Sequence, residues 1–149
     1  MPKVKPDYEV VNEFETLANQ IVEKYPEVFH GVEVDKIRCV KITNKDRPPT
    51  KDCSWQLMAV KMPIRLDCAY AWYIVVYASD WDPMDERHKL LLVAEILNGV
   101  PKSDDEEGKV NPFDAKGFKL MFRTFKSIDY MTEDNVPHLI DDDIEWKTC

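Results

Sequence analysis

Apolar positions along this chain recur with two periods, and the change of period divides it into elements. Between Asp7 and Tyr25, Val10, Phe14, Leu17 and Ile21 fall about one helical turn apart, with Val11, Ala18 and Val22 beside them, which predicts an amphipathic helix. Asp7 is its predicted cap and Pro26 its predicted stop. Val28-Phe29-His30-Gly31 reads as a turn into a strand over 36–42. There the period drops to two: Ile37, Cys39 and Lys41 face one side, Arg38, Val40 and Ile42 the other. Asn44-Lys45-Asp46-Arg47-Pro48-Pro49 has loop composition. A second strand is predicted over 54–62, with Trp55, Leu57, Ala59 and Lys61 on one face, interrupted by Pro63. Residues 71–78 are aromatic and β-branched without alternation, as in a strand well inside a sheet or under a helix.

The next element organises the rest. From Asp82 to Gly99 the chain predicts one helix, with Asp82 as N-cap, Pro83 at the first helical position, and Asp85 and Glu86 where the helix dipole favours negative charge. Gly99 is expected to end it in the left-handed conformation, with Pro101 preventing continuation. The rows Leu90, Val93, Leu97 and Leu91, Ala94, Asn98 leave the middle of the helix apolar nearly all round, so it is expected to be buried. Glu95 and Asn98 stand in that interior, and a buried carboxylate is costly unless it is paired or hydrogen-bonded.

Charged residues over 102–109 predict a loop. A third helix fits 114–125, with Phe118, Met121, Phe122 and Phe125 on its apolar face, and a helical turn fits 132–135. The expected architecture is α+β: an N-terminal helix, a three- to four-stranded sheet, a buried central helix and a C-terminal helix. It forms one domain over 1–149, with 1–6 as a flexible lead-in and 141–149 as an acidic tail.

Composition narrows the function classes. With 149 residues, 44% of them hydrophobic, the chain can bury a sizeable core. A formal net charge of -8 argues against direct binding to nucleic acid or to an anionic membrane, and leaves open an acidic surface that meets a basic partner. The four cysteines, Cys39, Cys53, Cys68 and Cys149, form no C-x-x-C pair and read as small core hydrophobes. No apolar segment opens the chain as a signal peptide would, so a cytoplasmic protein with reduced thiols is expected.

The run from the first helix through Trp72-Tyr73-Ile74-Val75-Val76-Tyr77 and Trp81 to Leu90-Leu91-Leu92-Val93-Ala94-Glu95-Ile96-Leu97-Asn98 resembles the phage metallopeptidases, a minimal zincin-like family. That family carries an H-E-x-x-H type helix after its last strand, and a His-Asp pair downstream. Two histidines four apart project from one helical face and bind a zinc ion, while the glutamate takes a proton from metal-bound water. Here the resemblance puts Ala94 and Asn98 at the histidine positions and Phe113 at the third ligand; only the acid Glu95 and the aspartate Asp114 remain. It therefore implies a zincin-like scaffold that has lost its metal, with no catalytic residue, no metal ligand and no cofactor at these relic positions.

The histidines do not repair the pattern. His88 lies off the face of Ala94 and reads as a surface residue; His30, in a turn, and His138, near the C-terminus, each read as a solvent residue or a local hydrogen-bond donor. Glu95 is expected to bond Asn98, a backbone amide or a buried tyrosine. Trp55, Trp72 and Trp81 read as core or sheet-face residues.

Two function classes follow. The first is a non-catalytic, phage- or prophage-encoded protein that acts in the host cytoplasm by binding another protein. In its concrete form it is an acidic inhibitor of a host defence nuclease, or of another basic nucleic-acid-binding protein, engaged through Asp104, Asp105, Glu106, Glu107 and Asp141, Asp142, Asp143. The second is an active metal-dependent peptidase with substituted zinc ligands. A virion or assembly protein is a third reading, and oligomeric state is left open.

Overall fold

The computed structural model describes residues 5–50, 53–102, 109–111, 118–125 and 136–147. In chain order they form β1 (Tyr8–Val10), α1 (Asn12–Lys24), α2 (Pro26–Phe29), β2 (Ile37–Ile42), β3 (Trp55–Ala59), β4 (Trp72–Tyr77), α3 (Ala78–Trp81), α4 (Glu86–Leu97) and α5 (Lys119–Phe125). The four strands make one sheet in the order β1-β2-β4-β3. The inner strands β2 and β4 are parallel, and each outer strand runs antiparallel to its neighbour. The architecture is α+β, as the change of period implies.

Each inner strand alternates. Ile37 and Cys39 of β2, and Trp72, Ile74 and Val76 of β4, point into the core; Trp55, Leu57 and Ala59 of β3 pack against its margin. Phe14, Leu17, Ala18 and Ile21 of α1 meet them, and so does α4, whose residues Leu90 to Ala94, Ile96 and Leu97 are all buried. The continuous apolarity of β4 thus matches an inner strand, although it also has an outward face, carrying Tyr73 and Val75.

Several element ends differ from expectation. The predicted first helix is two elements. Tyr8–Val10 pairs with Val40–Ile42 as a fourth strand, and the helix begins only at Asn12. Asp7 caps nothing: its backbone N–H donates to Asn44 Oδ1 and its carbonyl accepts from Thr43, so it secures the strand pair instead. Val10 and Val11 fit a helical row and a strand equally well, and the available partner strand decides between them. β3 stops at Ala59, before the expected Met62, and the chain turns through 64–66.

The central helix begins three residues later than its sequence suggests. Asp82 closes the short helix α3, and Asp85 is the N-cap of α4. Its Oδ1 accepts the His88 backbone N–H at 2.9 Å and meets His88 Nδ1 at 2.6 Å. At the other end Gly99 does not adopt the left-handed conformation; Gly31 is the glycine with positive φ among the described residues, at 88°. Gly99 is needed for contact, since a Cβ there would lie 2.9 Å from Leu57 Cδ2. The absent side chain lets α4 approach β3.

Residues 139–146 are held against Tyr25 and Phe29. Trp146 is buried and meets Tyr25, Phe29 and Phe125 edge to face at 5.5, 5.5 and 5.9 Å. The Tyr25 hydroxyl donates to the carbonyls of Leu139 and Asp142 and accepts the Ile144 N–H. Lys24 Nζ reaches the carbonyls of Ile140 and Asp142. The predicted third helix is described from Lys119 onward; its expected start at Asp114 and the turn at 132–135 lie outside the described residues.

Truncating Leu91→Ala empties a fully buried position and is expected to cost about 2–5 kcal/mol of unfolding free energy, measured by chemical denaturation. Asp85→Ala tests the cap. The His88 backbone N–H, then its ring, hold the Asp85 carboxyl below its ordinary range in the folded protein. A depressed folded value contributes stability that is present above the unfolded value, about 3.9, and is lost as pH falls through the folded one. The thermal midpoint of Asp85→Ala should lie below the parent's at pH 7, and the gap should close as the pH is taken well below about 4.

Candidate functional site

Of the residues carried over from the metallopeptidase pattern, Ala94, Glu95 and Asn98 fall at the C-terminal end of α4, where it faces β3. Ala94 has no exposed surface and is part of the core. Glu95, one position on, points to the margin, where its Oε2 accepts the indole N–H of Trp55 at 3.0 Å. That donor comes from the first residue of β3, brought over α4 by the antiparallel β3–β4 pairing. Asn98 turns back on its own helix, its Nδ2 donating to the Ala94 carbonyl at 2.8 Å. Its backbone carbonyl accepts from Asn111 Nδ2 at 3.0 Å, and the Asn111 N–H donates to the Gly99 carbonyl at 2.8 Å. The helix end is thus completed by the segment at 109–111, which also accepts the Trp72 indole N–H at the Lys109 carbonyl.

Between β3 and this helix end lies a cavity of about 250 Å³, lined by Cys53, Trp55, Leu57, Gly99, Val110 and Asn111. The described lining is mostly apolar, with the Cys53 thiol, the Trp55 indole N–H and the Asn111 amide as its polar side-chain groups. The second concavity, about 290 Å³, lies over the opposite sheet face near Tyr8, Ile42, Met58 and Tyr77 and also includes Cys53.

Cys53 is exposed and its Sγ donates to the Trp55 carbonyl at 3.2 Å. Enough protein surrounds the sulfur for burial to raise the thiol pKa, and the Glu95 carboxylate raises it further, against the opposing effects of the Trp55 bond and Arg47. Cys39 is buried within the sheet, and burial pushes its thiol up to about 12. Both shifts run opposite to the lowered pKa that activates a nucleophilic thiol. Among the described residues no group of three or more His, Cys, Asp or Glu side chains is placed to hold a metal ion.

The histidines serve local structure. His88 braces the cap of α4. His138, expected as a solvent residue or a local hydrogen-bond donor, is buried and bonded locally: its Nδ1 accepts the backbone N–H groups of Ile140 and Asp141, which places the ring proton of the neutral form on Nε2, 3.4 Å from Glu86 Oε1. This ring organises the turn that carries Asp141, Asp142 and Asp143. Asp142 accepts the His138 N–H, and Asp143 pairs with Lys24 at 3.2 Å. Asp104, Asp105, Glu106, Glu107, Phe113 and Asp114 lie outside the described residues. Trp72 and Trp81 are core residues as expected, and Trp55 is the half-buried partner of Glu95. Its role is not visible in the sequence, because 40 positions separate the two.

Comparison with known protein families, curated proteins and solved structures finds no match to this chain. No helix among the described residues is long and apolar enough to cross a membrane.

The thiols give the site a direct test. Cys53 should alkylate with iodoacetamide more slowly at pH 7.5 than an unperturbed exposed thiol, with a rate still rising above pH 9, because the thiolate is the reacting form. Cys39 should stay unlabelled until the protein unfolds. Peptide mapping by mass spectrometry resolves both.

Proposed function

We propose that this chain is a non-catalytic protein-binding factor on a zincin-like scaffold whose metal site has been lost. The observation that carries the reading is at α4: the position where the resemblance calls for a histidine holds Ala94, which offers no donor atom and is sealed in the core. Asn98 is an amide, a poor ligand for zinc, and its Nδ2 is turned back to the Ala94 carbonyl of its own helix. Glu95 has lost the neighbours that would give it a metal-bound water and instead receives the Trp55 indole.

In the form we favour, the protein is phage-encoded and acts in the host cytoplasm, binding a basic nucleic-acid-handling protein such as a defence nuclease. The net charge of -8 supports this. Within the described acidic run, the Asp141 and Asp143 side chains are exposed, the first beside His138 and the second beside Lys24, while Asp142 accepts the His138 N–H.

Two measurements decide between this and a peptidase with substituted ligands. Elemental analysis of the purified protein should find no stoichiometric transition metal; one equivalent of zinc would overturn the proposal. Titration against purified defence nucleases should give binding that weakens at least about tenfold between 0.05 and 0.5 M salt. Binding indifferent to salt would reject charge as the basis of recognition.

A further inference from the structure

The turn over 138–142 is built around one lone pair. His138 Nδ1 accepts the backbone N–H of Asp141 at 2.9 Å and that of Ile140 at 3.3 Å. A neutral imidazole has a single acceptor nitrogen, and both bonds use it. The turn is closed by the Asp142 N–H, which donates to the His138 carbonyl, and by the Asp142 carboxylate, which accepts the His138 N–H. Its carbonyls then hold the first helix. Those of Leu139 and Asp142 accept the Tyr25 hydroxyl, and those of Ile140 and Asp142 accept Lys24 Nζ. Trp146, which covers Tyr25 and Phe29, follows directly on this turn. The shape of the clasp therefore depends on a ring nitrogen that carries no proton.

Carboxylates lie where they can hold the other form of the ring. Asp141 Oδ2 is 3.5 Å from Nδ1, and Glu86 Oε1, in the first turn of α4, is 3.4 Å from Nε2. Among the described residues the other charged groups nearby have partners of their own. Arg87 of α4 donates to the Val136 carbonyl, Asp85 and His88 bond each other, and Lys24 of α1 pairs with Asp143. His138 is only 7% exposed, so a charged ring there has to rely on these carboxylates rather than on water. We propose that His138 is an acid-operated latch on the C-terminal clasp. Protonation places a hydrogen on Nδ1. The Ile140 and Asp141 N–H groups then face a donor and turn away, and Nδ1–H passes to the Asp141 carboxylate, while Nε2–H stays beside Glu86 in both forms. The ring has partners in each arrangement, so the proton selects between two turns and leaves the domain folded. In the second turn the carbonyls of 139–142 move off Tyr25 and Lys24, and the aromatic surface of Tyr25 and Phe29 loses its cover. Imidazole is the side chain whose charge ordinarily changes between pH 5 and 8, which sets the range over which the latch works. The latch is independent of the partner proposed above, since every group in it belongs to this chain.

Amide hydrogen exchange on the full chain, with each rate divided by the intrinsic rate at that pH, tests this. Protection over 139–146 should fall at least about tenfold between pH 8 and pH 5, while α4 keeps its protection. His138→Asn supplies a carboxamide oxygen that can accept the same N–H groups, as asparagine does two residues on in an Asx turn, and it does not titrate. This variant should keep the protection seen at pH 8 and lose the pH dependence. In the parent chain, NMR should show the Ile140 and Asp141 amide signals moving with the same midpoint as the His138 ring, a readout that does not depend on any variant folding. Asp141→Asn should move that midpoint to lower pH. Protection over 139–146 that changes less than about twofold across the range overturns the proposal. So does equal pH dependence in His138→Asn, a midpoint for the two amides different from that of the ring, or a loss of protection that extends through α4.

Discussion

The structure depends on removing one helix from water on nearly every side. Seven of the twelve residues of α4 are buried, and a helix so apolar has to be enclosed. A sheet face and α1 cover two sides, and the rest of the fold can be read as what completes the enclosure. The missing Cβ at Gly99 lets β3 lie close to the helix end. The segment 109–111 closes that end with hydrogen bonds that α4 cannot make within itself. Asp85, rather than the earlier Asp82, sets where the helix starts, because Trp81 and its short helix α3 must first be placed in the core.

Much of this was legible in the linear pattern. The α+β class, both inner strands and the burial of the central helix follow from periods of two and 3.6 and from the apolar run 90–97. The features that periodicity missed need a partner far away in sequence. Val10 is compatible with either period, and β1 exists because β2 offers it an edge. Gly99 reads as a helix stop by residue type; its contact with Leu57 appears only when β3 is in place. His138 has the composition of a surface turn around it, yet the turn folds inward about the ring.

The candidate site was legible to a similar degree. The local pattern marks Glu95 and Asn98 as polar groups that need partners. It does not identify those partners, because Asn98 is satisfied within its own helix and Glu95 by an indole on another strand. That indole matters to the functional reading. A carboxylate without a donor is a liability in a partly buried position. With Trp55 in contact, Glu95 links β3 to α4, which gives the carboxylate a structural role.

The clasp between Tyr25 and the 139–144 segment bears on the order in which the protein can be made. Its bonds span 114 to 119 positions. While a ribosome is still extending the chain, α1 can form and meet the sheet, but the aromatic wall of Tyr25 and Phe29 stays uncovered until Trp146 has emerged. Of the described helices, α1 leaves the exit tunnel earliest and is among the last to be fully sheltered. During synthesis its C-terminal end is a site where chaperones or premature association can act on the nascent chain.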